Sequence, residues 1–134
     1  MKKQRFLSAV ALAAFIVFAG TAASNAQDQD PAAVKRGDAK FQHSCAPCHG
    51  RGAGDDGRAL LPGTDALRIK YKGEIPALLE DRADLPAAVL SVFLRQGSWS
   101  MPPFRPTEVT DAEIDDIAAY LAESSKAAAS ASRR

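Results

Sequence analysis

The sequence predicts an all-α domain, and three stretches carry that prediction. Thr110-Asp111-Ala112-Glu113 is a capping box, followed by Ile114, Ile117, Ala118 and Leu121 at i, i+3, i+4 and i+7. Asp30-Pro31 opens an earlier helix with an acid to cap it and a proline in the first turn, where the missing N–H costs nothing. Leu85 to Gln96 is rich in apolar residues and stops at Gly97, suited to the left-handed position that ends helices. No strand-type alternation surrounds Cys45 to Cys48, and no internal repeat is visible.

Residues 1–26 read as a secretory signal. Met1 to Arg5 is a positive leader, Phe6 to Gly20 an uncharged apolar run of fifteen residues, and Ser24-Asn25-Ala26 offers small residues for cleavage before Gln27. A membrane span needs roughly 20 residues, so export with cleavage is favoured over an uncleaved anchor. Removing 26 of the 134 residues leaves 108, and with them go three cations and no acid, taking the formal charge from +1 to −2. That balance offers no basis for nucleic-acid binding. The domain then runs over residues 27–125, with 126–134, mostly Ala, Ser and Arg, as a frayed tail.

The first helix is expected from Pro31 to about Gln42. Gly37 and Phe41 share one of its faces, the glycine allowing close helix approach and the phenylalanine filling the space beside it. Gly37 alone would otherwise be a weak point in the helix. Tyr120, beside the apolar stripe of the last helix, is expected to pack on the first helix at Gly37. Pro76 to Arg82 is a candidate short helix. Gly50 to Gly63 lacks the residues of a phosphate loop or a calcium loop and reads as connection.

Cys45-Ala46-Pro47-Cys48-His49 carries the chemistry. CxxCH is the spacing of covalent haem c attachment: two cysteines three apart lie on nearly one face of a helical turn, so both thiols reach the two vinyl groups of one porphyrin. His49 then offers its imidazole to the iron. Three rivals use the same residues. A thioredoxin-type CxxC needs a strand before it. A structural zinc site needs four ligands, whereas the chain has two Cys and two His, with His43 two residues before Cys45. A plain disulfide would leave His49 unexplained.

Met101 is the candidate for the second axial position. Met1 leaves with the signal, so Met101 is the one methionine of the mature chain. Pro102 biases it toward extended backbone, and Pro103 and Pro106 stiffen the loop. His43 is the other soft donor, tethered beside Cys45 and expected on the wrong side of the haem. A methionine that only fills core space is the alternative.

Across the mature sequence the chain resembles the class I monohaem cytochromes c. The resemblance rests on Gly37 and Phe41 ahead of Cys45-Ala46-Pro47-Cys48-His49, on Ser100-Met101-Pro102-Pro103-Phe104, and on Ile117, Tyr120 and Leu121. It implies a cytochrome c-like fold in which N- and C-terminal helices cross at the glycine and the haem is enclosed. It also implies His49 and Met101 as axial iron ligands. A proline carbonyl orients the proximal histidine in that family, and Pro62, thirteen residues after His49, is the nearest match. Trp99, Tyr71, Arg68 and Lys70 are candidates for haem packing or propionate contacts, with ordinary surface placement as the alternative.

An iron ligated on both faces has no open position, so the expected activity is one-electron transfer without substrate chemistry. The exposed haem edge is placed near Ala46, Pro47, Ser98, Trp99 and Pro102. The run from Gly97 to Phe104 resembles the small cytochrome subunits of periplasmic dehydrogenases such as p-cresol methylhydroxylase. This implies a flavin- or quinone-dependent dehydrogenase as donor and a downstream oxidase or cytochrome as acceptor. The alternatives are a freely diffusing carrier to a terminal oxidase and, from another class, a ligand sensor or peroxidase acting through release of Met101.

Overall fold

A computed structural model describes residues 29–134, so the proposed signal over 1–26 lies outside the described residues. Five α-helices follow in order: α1 (Pro31–Ser44), α2 (Ala46–His49), α3 (Pro62–Tyr71), α4 (Ala87–Gln96) and α5 (Asp111–Ala131). A 3-10 turn spans Leu79–Asp81. No strand is formed among the described residues; the extended pairing present is an isolated bridge between Ser98 and Met101. Nor is any described helix long and apolar enough to cross a membrane.

The α1–α5 pair is the most extensive helix contact and organises everything else. Asp30 caps α1 by accepting the Ala32 N–H at 3.0 Å, and Thr110 with Glu113 closes the capping box of α5. The helices touch at Gly37. A Cβ there would lie 1.9 Å from the Asp116 carbonyl oxygen and 3.0 Å from the Ile117 nitrogen, so only glycine admits this approach. Arg36 spans the contact with a two-pronged ion pair to Asp116, both N–O distances 2.7 Å.

Phe41, Ile114, Ile117, Leu121 and Val109 are all at most 2 % exposed, and Leu85, Leu90 and Leu94 join them in one core. Each such side chain contributes roughly 1.5–3 kcal/mol by leaving water. At Gly37 the close contact is made by the α5 backbone, and Tyr120 packs on α1 one turn further on. Its ring sits 5.3 Å from Phe41, and its hydroxyl donates to Glu80 in the 3-10 turn. That bond joins α5 to the 3-10 turn.

Four further expectations change. The first helix continues two residues past Gln42, to Ser44. Pro76 to Arg82 winds only into the 3-10 turn. The expected tail from 126 is helical as far as Ala131, because Ala-rich sequence propagates a helix already nucleated and docked upstream. The glycine-rich connection ends earlier than expected, at Leu61, since α3 begins at Pro62.

Candidate metal centre

Cys45 is the C-cap of α1, its N–H donating to the Phe41 carbonyl at 2.8 Å. His49 N–H then donates to the Cys45 carbonyl at 2.9 Å, closing Cys45 to His49 into a single helical turn. The attachment motif is thus a direct continuation of the helix that the α1–α5 crossing holds rigid.

Both cysteines are free thiols, Cys45 half-buried and Cys48 exposed. Burial pushes the Cys45 thiol up to about 11. The motif follows directly on α1 with no strand before it among the described residues, so the thioredoxin-type rival lacks the setting it needs. The zinc rival fares no better: among the described residues no group of three or more His, Cys, Asp or Glu is placed to hold a metal ion. Burial also pushes His49 below its usual 6.5, so it rests as the neutral imidazole a metal requires.

Around His49, Nδ1 is buried without a hydrogen-bond partner. Pro62, the expected partner, is the first residue of α3, its ring serving helix initiation, and the next residue, Gly63, lies against the imidazole. Sequence reasoning missed Gly63 and Thr64; the signal was a Pro-Gly-Thr run at a helix start.

Met101 is half-buried and packed against the core. Its loop is more firmly fixed than the prolines alone suggested. Gly97 ends α4 at φ +70, Ser98 N–H donates to Met101 O at 3.0 Å, and Met101 N–H returns to Ser98 O at 2.9 Å. Phe104 N–H donates to the Leu94 carbonyl at 2.6 Å and Arg95 Nη1 to Phe104 O at 3.2 Å, tying the loop back to α4. His43 is exposed and lines one groove with Lys40, Ser44, Pro102 and Pro103, so tethering beside Cys45 does not carry it away from the Met101 loop.

The remaining candidates separate. Trp99 is fully exposed, at 101 %, on a left-handed backbone with φ 55. Arg68 is engaged by Asp65 at 2.7 Å, and Lys70 lies over the Tyr71 ring at 5.1 Å. The other face of this cluster was not anticipated: Arg82, only 7 % exposed, also stands 5.1 Å from Tyr71 and forks onto Asp84 at 2.9 and 2.6 Å. On α4, Val89, Val92 and Phe93 form an exposed apolar face opposite the buried Leu90 and Leu94.

An all-α scaffold that presents Cys-x-x-Cys-His as one turn at the end of its first helix, with the imidazole walled on one side, is that of a c-type cytochrome. The family model described as Cytochrome C oxidase, cbb3-type, subunit III matches residues 32–121, from α1 into α5, and the chain belongs to that family. Its cofactor is a covalently bound haem c, and its activity is haem-based electron transfer. No curated protein and no solved structure matches the chain.

Proposed function

We propose that this protein is an exported one-electron carrier whose haem c is joined to Cys45 and Cys48 and whose iron is ligated by His49 and Met101. The observation that carries the reading is the single helical turn from Cys45 to His49, with Nδ1 of the imidazole enclosed. When bound, haem c supplies an Fe(III)/Fe(II) couple, and ligation on both faces leaves no position for substrate or oxygen.

The chain's own residues do the rest. Because Nδ1 of His49 is enclosed, Nε2 is the nitrogen left for iron. The Ser98–Met101 backbone pair fixes the thioether donor in advance, and thioether ligation raises the potential of an electron-carrying haem. Pro47, Trp99 and Pro102 are exposed and Ala46 and Ser98 half-buried, as suits an electron-entry edge for a brief encounter. The leader over 1–26 supports a periplasmic location.

The donor we propose is a flavin- or quinone-dependent periplasmic dehydrogenase, on the strength of the Gly97 to Phe104 run. A second reading, delivery of electrons to a terminal oxidase, is favoured by the family description, which names an oxidase subunit. Oxidised protein mixed with the dehydrogenase and its substrate, and reduced protein mixed with the oxidase under oxygen, separate them: rapid reduction by the dehydrogenase and slow oxidation by the oxidase support the first.

Met101→Ala tests the distal ligand. Haem should stay covalently bound while the sixth position passes to water, hydroxide or a lysine, the midpoint potential falls, and cyanide binding accelerates. Wild-type spectrum and potential in that variant would remove Met101 from the site. A high-spin ferric spectrum in the unmutated protein, with rapid cyanide binding, would favour a sensor or peroxidase instead.

A further inference from the structure

Pro102, Pro103 and Pro106 carry no N–H, so the stretch that follows α4 has few backbone donors with which to hold itself. Its fixed points converge on the last turn of α4. Gly97 ends that helix against the loop: a Cβ there would lie 2.7 Å from the Met101 carbonyl oxygen and 3.0 Å from the Pro103 nitrogen. The Phe104 N–H then donates to the Leu94 carbonyl, one of the four that a helix end leaves without an internal partner.

Arg95 holds the other polar atom of Phe104. Its Nη1 donates to the Phe104 carbonyl at 3.2 Å, while Nη2 reaches Asp111, the first residue of α5, at 2.6 Å. The Arg95 side chain is 23 % exposed and that of Asp111 87 %, so the carbonyl contact is the sheltered arm and the ion pair the wet one. A cation in the last turn of α4 also faces the negative end of that helix. The loop is thereby closed on α4: it leaves at Gly97, turns back through the Ser98–Met101 pair and returns at Phe104.

We propose that Arg95 is the positioning residue for the distal ligand: by clamping the Phe104 carbonyl it keeps the loop shut, and so sets how rarely the Met101 thioether leaves the iron. The inference rests on Met101 being that ligand. Gly97 and the Ser98–Met101 pair shape the loop, and Arg95 governs how long it stays closed. One guanidinium then separates a carrier with both iron faces occupied from a haem that admits small ligands.

The test uses the haem-loaded protein and three variants, Arg95→Gln, Arg95→Lys and Asp111→Asn. The readouts are the rate of cyanide binding to the ferric form, the weak red absorption band that a methionine sulfur gives ferric haem, and the midpoint potential. Loss of a charge-assisted bond to a carbonyl should raise the open population, and with it the cyanide rate, about tenfold in Arg95→Gln. The red band should weaken and the potential fall in the same variant, because the thioether favours Fe(II). Arg95→Lys, with a single cationic head that cannot fork onto both partners, should fall between it and wild type. Asp111→Asn leaves the Phe104 bond in place and should bind cyanide near the wild-type rate. An arginine that served stability alone would lower the unfolding midpoint and leave cyanide rate, band and potential unmoved. Wild-type values of those three in Arg95→Gln overturn the inference, as does an equal acceleration in Asp111→Asn. Should Arg95→Gln fail to accumulate with haem, Arg95→Lys decides alone, and a wild-type cyanide rate in it overturns the inference. Absence of the red band from the unmutated protein would overturn Met101 as ligand, the reading on which the inference rests, and is recognised before any variant is compared.

Discussion

The α1–α5 crossing and the segments that carry the candidate ligands are built on opposite terms. The crossing is long helix against long helix, sealed by Phe41, Ile114, Ile117 and Leu121 and closed by a glycine that leaves no gap. The ligand-bearing parts are a four-residue helix, a ten-residue helix starting at a proline, and a loop, while α4 beside them leaves Val89, Val92 and Phe93 uncovered. One region completes its own packing; the other leaves apolar side chains of α4 exposed and sets the edge of the His49 ring against backbone. The fold is thus a rigid hinge post with an unfinished half.

The largest effect follows from removing what finishes that half. Replacing Cys45 and Cys48 together by Ala should leave haem extractable by acidified organic solvent, and the cofactor-free protein should lose helical signal without a cooperative transition. A domain of this size has little core to spare, and here part of it is reserved. A sharp, native-like melt by circular dichroism would show the crossing to be sufficient by itself.

Next comes damage to the crossing with the cofactor in place. Phe41→Ala should cost about 3–5 kcal/mol in denaturant unfolding of the haem-loaded protein, since Phe41 is fully buried. Gly37→Ala should cost about 3 kcal/mol by overpacking against Asp116. Neither should alter axial ligation. A changed haem spectrum in either would mean that the two regions are less independent than their construction suggests.

A smaller loss is expected at the entry to α5. Thr110→Ala removes the acceptor for the Glu113 N–H, 3.2 Å away, and should cost about 1 kcal/mol in the same unfolding measurement.

The smallest effect is a pH dependence. The Thr110 backbone N–H, with Lys40 beside it, holds the Glu113 carboxyl down at about 2 against an ordinary 4.5. A depressed carboxyl stabilises the fold fully above its unfolded value, and that contribution is lost as pH falls from about 4.5 through about 2. Glu113→Gln keeps the capping geometry and should flatten this acid limb in a plot of unfolding midpoint against pH. An unchanged limb would assign it to other carboxylates.

The same contrast explains what could be read in advance. α1, α4 and α5 announce themselves through local signals: a capping acid before proline, a capping box, a terminal glycine and regular apolar spacing. Gly37 and Phe41 and the helical turn of the attachment motif were legible for the same reason. α3 was not, because its reason for being helical lies behind His49, in the Thr64 to Gly50 bond and the contact at Gly63. Pro62 was singled out for its carbonyl, and its ring also opens a helix. Arg82 escaped notice because nothing local marks a guanidinium that tertiary packing buries against Tyr71 and Asp84. Tyr120 was placed on the right helix pair and one turn from its true neighbour, Phe41.

Trp99 has a practical consequence. It is the one tryptophan of the chain, fully exposed, held on a left-handed backbone that non-glycine residues adopt only when their surroundings impose it, and two residues from Met101. Indole emission overlaps the absorption of haem, so a haem held by the proposed ligand Met101 would quench Trp99 by energy transfer. The intact protein should therefore be nearly dark in the ultraviolet and brighten as the Ser98–Met101 pair lets go. The chain carries its own optical gauge of distal-loop opening, readable in stopped flow without any label.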